Sequence, residues 1–248
     1  VPEAVAVDPV CVAGVDGCKA GWIAVFRWVG SDRAPEVQIF PHFADLLASE
    51  HEPRKIAVDM PIGLPEKIGS NGRGPEKAVR PLLGMRQSTV FSIPARAAIY
   101  CEDYREACSA ALAHSTPPKK VSKQAFHIFP KIREIDQLMT PELEARVYEV
   151  HPEVAFWRLN GQEPIAIPKK VKGSSYPAGL DARRDLLVQF GYVASFLDQK
   201  PPKGAARDDL MDAAVNAVIA ERLLYGHAEP FPADFGRNER GLRMAIWA

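Results

Sequence analysis

Cysteine is scarce in this chain, with only Cys11, Cys18, Cys101 and Cys108. They form no CxxC pair and no Cys/His spacing of a zinc module, which argues against a disulfide scaffold or a structural zinc site. Reduced thiols in a cytoplasmic protein are the expectation. The opening stretch VPEAVAVDPV lacks a basic region followed by a long apolar run, so no secretory signal is expected there. No uncharged apolar run approaches the roughly 20 residues that span a bilayer, and no membrane partner is expected. A charge excess is missing too: Lys plus Arg number 31 and Asp plus Glu number 31. Tight binding to long duplex usually brings a basic excess, because each neutralised phosphate releases counterions. The balance disfavours that partner and leaves a short or single-stranded nucleic acid or a phosphorylated small molecule. There is no GxSxG elbow, no GxxxxGK[ST] loop and no HExxH pair, which removes three common catalytic designs. Internal repeats and low-complexity tracts are also lacking.

What is present is an ordinary globular composition, 47% hydrophobic and 25% charged, enough for one sizeable α/β core. Strands are expected at 10–15, 21–29 (GWIAVFRWV) and 36–40, the first two joined as a hairpin by the Asp-Gly step. A short helix at 44–49 leads to KIAVD (55–59), whose unbroken apolar character predicts a strand in the sheet interior. Residues 60–92 form a long Gly/Pro-rich loop, of the kind that is functional or mobile. Helices are expected at 103–114, at 123–139 with a kink or split at Pro130, and at 141–146. VYEV (147–150) reads as a fifth strand, 161–176 as a second loop, 180–190 and 208–225 as helices, and 242–247 as an edge strand. The expectation is a single domain over 1–248 with a mixed five-stranded sheet, flanking helices, and insertions at about 61–146 and 158–205.

Several acids share a setting, each standing at the end of an apolar element. Asp16 ends the first strand, Asp59 the interior strand and Glu149 the fifth, while Asp209 and Asp212 open the last long helix. Residues three apart lie on one helix face, and the uncharged AAVNAVIA (213–220) predicts that this helix is buried soon after its acidic start. Gathered carboxylates repel, and a hard divalent cation with oxygen-only ligands, Mg2+ or Mn2+, relieves that repulsion. Two such ions can activate water and stabilise the leaving oxygen of a phosphodiester. Several of these acids also have a plain alternative, though Asp212, one turn further into the buried helix, is less easily given one. Asp16-Gly17 suits a hairpin turn, Asp59 can cap the following loop, and Asp208 and Asp209 suit a helix cap and first turn.

The joint pattern resembles the ribonuclease H-like superfamily: an Asp ending the first strand, an acid ending a central strand, and D-x-x-D opening the last helix. The D-x-x-D-A form of 209–213 is closest to its Holliday-junction resolvase branch. GVDGCKAGW (14–22), AVDMPIGLP (57–65), YEVHPEVAFW (148–157) and DDLMDA (208–213) are similar to the family catalogued as domain of unknown function 429, as are FPKIREID (129–136), KKVKG (169–173) and Arg183. That family is described as predicted nucleases of this fold. The resemblance implies Asp16, Asp59, Asp209 and Asp212 as metal ligands and catalytic acids, with Glu149 as a further catalytic candidate. The roles of Glu149 and Glu153 belong to a family-specific motif and stay open, as does His151, a proton-shuttle candidate or an ordinary loop histidine.

Residues 115–184 contain twelve Lys or Arg against eight Asp or Glu, and PKK (118–120) and PKKVK (168–172) read as two mobile basic arms or as solvated surface. Arg86, Arg96, Lys131, Lys170, His151 and Glu153 are the candidate substrate-binding side chains, arginine being suited to forked phosphate contacts. The leading expectation is a divalent-metal-dependent hydrolase acting on nucleic-acid phosphodiesters. The alternatives are a nucleotide- or phosphometabolite-binding protein of the same fold, and a non-enzymatic interaction module. The Asp-Gly turn also resembles the phosphate hairpin of the sugar-kinase and actin-like group, which normally needs two such domains.

Overall fold

Alternation along three adjacent strands organises the molecule. The computed structural model describes residues 9–171 and 173–248; Lys172 and the stretch 1–8, where an absent signal was expected, lie outside them. Strands β1 (Val10–Cys18), β2 (Gly21–Val29) and β3 (Glu36–Phe40) form an antiparallel meander, followed by helix α1 (Phe43–Leu47) and strand β4 (Lys55–Val58). Helices α2 (Gly74–Val79), α3 (Arg96–Ile99), α4 (Tyr104–Ala113), α5 (Lys123–His127) and α6 (Phe129–Leu138) come next, before strand β5 (Val147–Glu149). Helix α7 (Pro152–Leu159), the two-residue strands β6 (Lys170–Val171) and β7 (Ser174–Ser175), and helices α8 (Pro177–Gln189), α9 (Ala194–Asp198) and α10 (Arg207–Leu224) follow. A small ladder of β8 (Pro230–Phe231) and β9 (Ile246–Trp247) closes the chain.

The main sheet has the order β3-β2-β1-β4-β5, with β1, β4 and β5 parallel. Because side chains alternate faces along a strand, Ala13, Val15, Ile56, Val58 and Val147 pack on one side against α1 and α3–α6. Val12, Ala57 and Tyr148 pack on the other, against α7–α10. Helix α10 is buried without a break from Leu210 to Ala220. It lies directly on β1 at Gly14, where a β-carbon would stand 1.9 Å from the Ala217 nitrogen and 2.1 Å from the Ala213 carbonyl. Asn216 secures the crossing by donating to the Val15 carbonyl at 3.0 Å.

The mixed five-stranded sheet and its flanking helices agree with the sequence expectation. Several local expectations need correction. β1 runs on through Asp16 to Cys18, because pairing with β2 continues past the Asp-Gly step and the turn is only Lys19–Ala20. The 60–92 stretch contains α2 and a 3-10 segment at Arg80–Thr89, packed with Val154, Trp157 and Ile246 in a third apolar cluster. Arg73 pins it from within, as described below. Only one 3-10 turn, Leu143–Ala145, forms where a helix was expected at 141–146. The helical stretch 123–139 does split, just ahead of Pro130, which sits in the first turn of α6 where its missing amide proton costs nothing. The C-terminal strand is Ile246–Trp247 alone and pairs with β8, not with the edge of the main sheet. Helix α7 was not anticipated, since burial of nearly every residue from Pro152 to Leu159 leaves no polar stripe to give a helical period. No helix among the described residues is long and apolar enough to cross a membrane.

Replacing Gly14 with alanine is expected to destabilise the protein by about 3 kcal/mol or more, since neither contacting group is a movable side chain. Urea unfolding measures this, and a loss below about 0.5 kcal/mol, the ordinary surface range, would contradict the close crossing.

Candidate functional site

Parallel pairing of Val15 with Val58 puts the next residues, Asp16 and Asp59, side by side where β4 ends. The Asp59 amide donates to the Val15 carbonyl at 3.0 Å, fixing that register. Both acids share the strand parity of the α10 face: Asp16 follows Val12 and Gly14, and Asp59 follows Ala57. The Gly14 crossing brings the start of α10 over them and delivers Asp212. Each of the three acids is raised above the usual carboxylate range, first by burial and then by other carboxylates. Asp59 and Asp212 act on Asp16, Asp212 acts on Asp59, and Glu153 acts on Asp212. Asp59, at the floor of a cleft, is pushed up to about 7. One oxygen of Asp16 accepts the Gly17 amide at 2.7 Å, while the buried Oδ1 atoms of Asp208 and Asp212 have no hydrogen-bond partner among the described residues.

The first turns of α10 divide their three aspartates between different jobs. Asp212 enters the cluster. Asp209 stands at its rim with Oδ2 accepting the Ala206 amide at 2.8 Å, a helix-capping contact, and it still acts on Asp16 through space. Asp208 is buried and paired with Lys170 at 2.6 Å. A β-carbon at Gly204 would stand 2.3 Å from that of Ala20, and the Ala20 amide donates to the Gly204 carbonyl, so the approach to α10 is held on the β1–β2 turn.

The cation among these acids is Lys169, a residue not singled out within the KKVKG motif. Its ammonium pairs with Asp212. Burial works against that charge, but Asp212, Glu153 and Asp16 outweigh it and raise the lysine above its ordinary range. Helix α8 holds the segment in place. The Pro168 carbonyl would lie 1.9 Å from a β-carbon at Gly179, so only glycine admits so close an approach. Arg183, fully buried, donates to the Ile167 and Gly179 carbonyls and to both oxygens of Glu153 at 2.7 and 2.8 Å. Glu153, in the first turn of α7, is thereby kept below the ordinary range despite burial, Arg183 first and then Lys169 and Arg86 outweighing desolvation. Lys169 and Lys170 are thus docked on α10 and do not form a free basic arm. The repeated proline and lysine of PKKVK suggest mobility only when Gly179 and the buried acids are out of view.

The remaining candidates separate clearly. Arg86 approaches Glu153 at 3.7 Å, at the margin of the cluster. His151, at the start of α7, places Nε2 3.4 Å from the Thr89 carbonyl, and Nδ1 is buried without a partner among the described residues. Burial lowers its pKa, which favours the neutral ring. Lys131 reaches the Gly21 carbonyl and lies over the Trp22 ring beside Asp16. Arg96 is not brought in, since it pairs with Asp136 at 2.8 Å on α6.

Glu149 is set apart from the three aspartates by strand parity and by its partners. It shares the face of Val147, opposite to that of Asp16 and Asp59, although it lines the same cavity as those two acids. Its oxygens accept Arg73 at 2.6 and 3.2 Å and the Ile62 amide at 2.8 Å. Arg73 also holds Glu76 and the Ile62 carbonyl. Glu149 therefore anchors the 60–92 stretch. Arg73 is the buried partner that a Gly-rich loop gives no periodicity to reveal.

Among the described residues, no three His, Cys, Asp or Glu side chains stand ready as a metal-holding group, and Lys169 supplies the positive charge in this arrangement. The donor set nonetheless suits a hard cation: oxygen-only groups from β1, β4 and α10, including the unpartnered Oδ1 of Asp212. A cavity of about 220 Å3 opens beside Asp16 and Asp59.

Glu149→Ala leaves Arg73 buried without its main partner and is expected to cost about 3–5 kcal/mol of stability. Chemical unfolding checks this, and a near-neutral result would return Glu149 to the candidate catalytic set. Asp59 gives a pH signature. With its folded pKa near 7 and an unfolded value of about 3.9, the folded chain binds more protons between those limits. Without divalent cations, its contribution to stability therefore falls as pH rises from about 4 to about 7. Asp59→Asn is expected to exceed wild type in stability by about 2 kcal/mol at pH 8, discounted for the open side of the carboxylate, and by much less at pH 5. Unfolding at both pH values reads the difference, and an unchanged gap would refute the burial of an acid there.

No curated protein and no solved structure matches this chain. A family model described as "Protein of unknown function (DUF429)" matches residues 14–237, a span that includes all the acids of the cluster. The chain belongs to the DUF429 family.

Proposed function

We propose that the protein is a divalent-metal-dependent phosphodiesterase of ribonuclease H-like fold, hydrolysing nucleic-acid phosphodiester bonds with Asp16, Asp59 and Asp212 as its metal ligands. The observation that carries the reading is the convergence of three carboxylates from three separate elements, each raised by burial and by its neighbours. Structural acids are normally paired or solvated, and perturbed acids gathered beside a cavity are a functional signature. The hairpin leading into a mixed five-stranded sheet supports the fold assignment.

Mg2+ or Mn2+ would be held by Asp16, Asp59 and the free oxygen of Asp212, with Asp209 as an outer ligand. When bound, such a cation supplies charge neutralisation and activation of water for attack at phosphorus. The chain's own groups do the rest. Lys169, Lys170 and Arg86 meet the non-bridging oxygens of an arriving phosphate, and the Glu153–Arg183 pair keeps the Lys169 segment oriented. Neutral His151 accepts or passes a proton at Nδ1, the ring atom left without a partner. A cytoplasmic setting agrees with four free thiols. The Lys169–Asp212 pair favours a second reading, in which the protein binds nucleotides or phosphometabolites without hydrolysing nucleic acid.

Calorimetric titration of Mn2+ into wild type and Asp59→Asn tests the metal site, and Mg2+- and Mn2+-dependent cleavage of single-stranded, junction and hairpin DNA and RNA tests the activity. Loss of even an outer-shell partner weakens metal sites by about 10–100-fold, so Asp59→Asn is expected to lose at least that much affinity and all measurable cleavage. Mn2+ binding without cleavage of any substrate would favour the second reading. Equal Mn2+ behaviour of the two proteins would sink the first.

A further inference from the structure

The geometry points to the cavity beside Asp16 and Asp59 as a pocket for one unstacked nucleobase of a single-stranded nucleic acid, whose phosphate lies at the carboxylates. This inference deepens the phosphodiesterase reading and rests on it. The cavity measures about 220 Å3, too small for a duplex and small even for an ordinary ligand pocket. Its walls are apolar, formed chiefly by Met60, Pro61, Val90, Phe91, Ile93 and Ile246. Polar groups line it as well: Asp16 and Asp59, Lys131 and His127 near the α5–α6 junction, and the buried Glu76 and Glu149, which are already held by Arg73.

A bare phosphate offers such walls no apolar surface, and a sugar offers only small C–H faces hemmed by hydroxyl groups that these walls would leave without partners. A nucleobase fits them, since a flat ring system stacks on apolar and aromatic side chains whatever its sequence identity. It also presents edge donors to the Thr89 carbonyl, which lines the cavity. Taking a base out of a stack costs least where the strand is already single, which agrees with a chain whose formal net charge is zero and which lacks a basic excess for long duplex. The 3-10 segment and the strip after it, which build the Val90–Ile93 wall, are held by Arg80 donating to the Val90 carbonyl and to Ser92. The wall is therefore set before a ligand arrives.

The test uses the full chain with Mn2+ and two short fluorescent single-stranded DNA oligonucleotides with cleavage-resistant phosphorothioate linkages, identical except that one nucleotide is replaced by an abasic tetrahydrofuran site. Fluorescence anisotropy gives both affinities, for wild type and for Val90→Trp, which fills the cavity from its wall. Phe91→Ala, which removes the half-buried ring, is the second variant in case Val90→Trp does not fold. Wild type is expected to prefer the base-containing strand by about tenfold, and either variant to remove that preference while binding the abasic strand unchanged. Equal affinity of wild type for both strands, or no affinity for either while Mn2+ still binds, overturns the pocket and leaves the metal site standing. Mn2+ binding, titrated separately, decides the metal reading on its own.

Discussion

The contact between Gly14 and the backbone of α10 is the constraint on which the site depends. With no side chain at 14, the helix backbone sits on the strand backbone, and a β-carbon there would lie within covalent-like range of two main-chain atoms. That closeness carries Asp212 over the end of β1, and the Asn216 bond to the Val15 carbonyl fixes the helix along its axis. The same carbonyl accepts the Asp59 amide. One peptide group thus registers β4 and α10 against β1 together, and the three acids follow from that register. Separate side-chain contacts would leave the spacing of the acids to the flexibility of three elements.

The chain carries unfavourable electrostatics at this edge, and the surrounding packing offsets the cost. Buried acids raised above their ordinary range are a burden on folding at neutral pH. Lys169 reduces the burden without removing it, since the Oδ1 atoms of Asp208 and Asp212 stay unpartnered among the described residues. The long buried run of α10 and the two apolar faces of the sheet supply the compensating hydrophobic stabilisation. A site tuned only for stability would place amides or apolar groups at positions 59 and 212.

Sequence patterns carried the sheet well and the helical coverage less well. β2 and β3 have the expected bounds because both alternate or run apolar between clear turn signals. Asp16, Asp59 and Asp212 were legible because each ends or opens an apolar run, and burial of such positions is what pattern detects. Asp209 and Asp212 share one face by their three-residue spacing, and the cap reading open to Asp209 in sequence is the one the helix start takes. Glu149 shows the opposite limit. Its position at a strand end was legible, but which face it takes depends on the parity of a three-residue strand. The buried pairings of Arg73, Lys169 and Arg183 were hidden, because a charged residue in a Gly/Pro-rich loop or on a helix reads as solvated until its buried partner is located.

In a chain of zero formal charge, these cations are spent on the chain's own buried acids. Arg73 and Arg183 are fully enclosed and committed to Glu76, Glu149 and Glu153. Lys169 and Lys170 are committed to Asp212 and Asp208. The inner pairs act as framework, since an isolated buried charge would be costly and the forked arginine contacts fix the angle between segments. The outer pairs differ. Lys170 is exposed on its side chain while Asp208 is buried, so its ammonium is free to swing out, but Asp208 then needs another cation or a proton in its place. Lys169 is more enclosed, and any cation or phosphate that enters the cluster must rearrange its pairing with Asp212. Overall charge therefore says little about which cations are available at this edge, because that is set by which of these pairs can open.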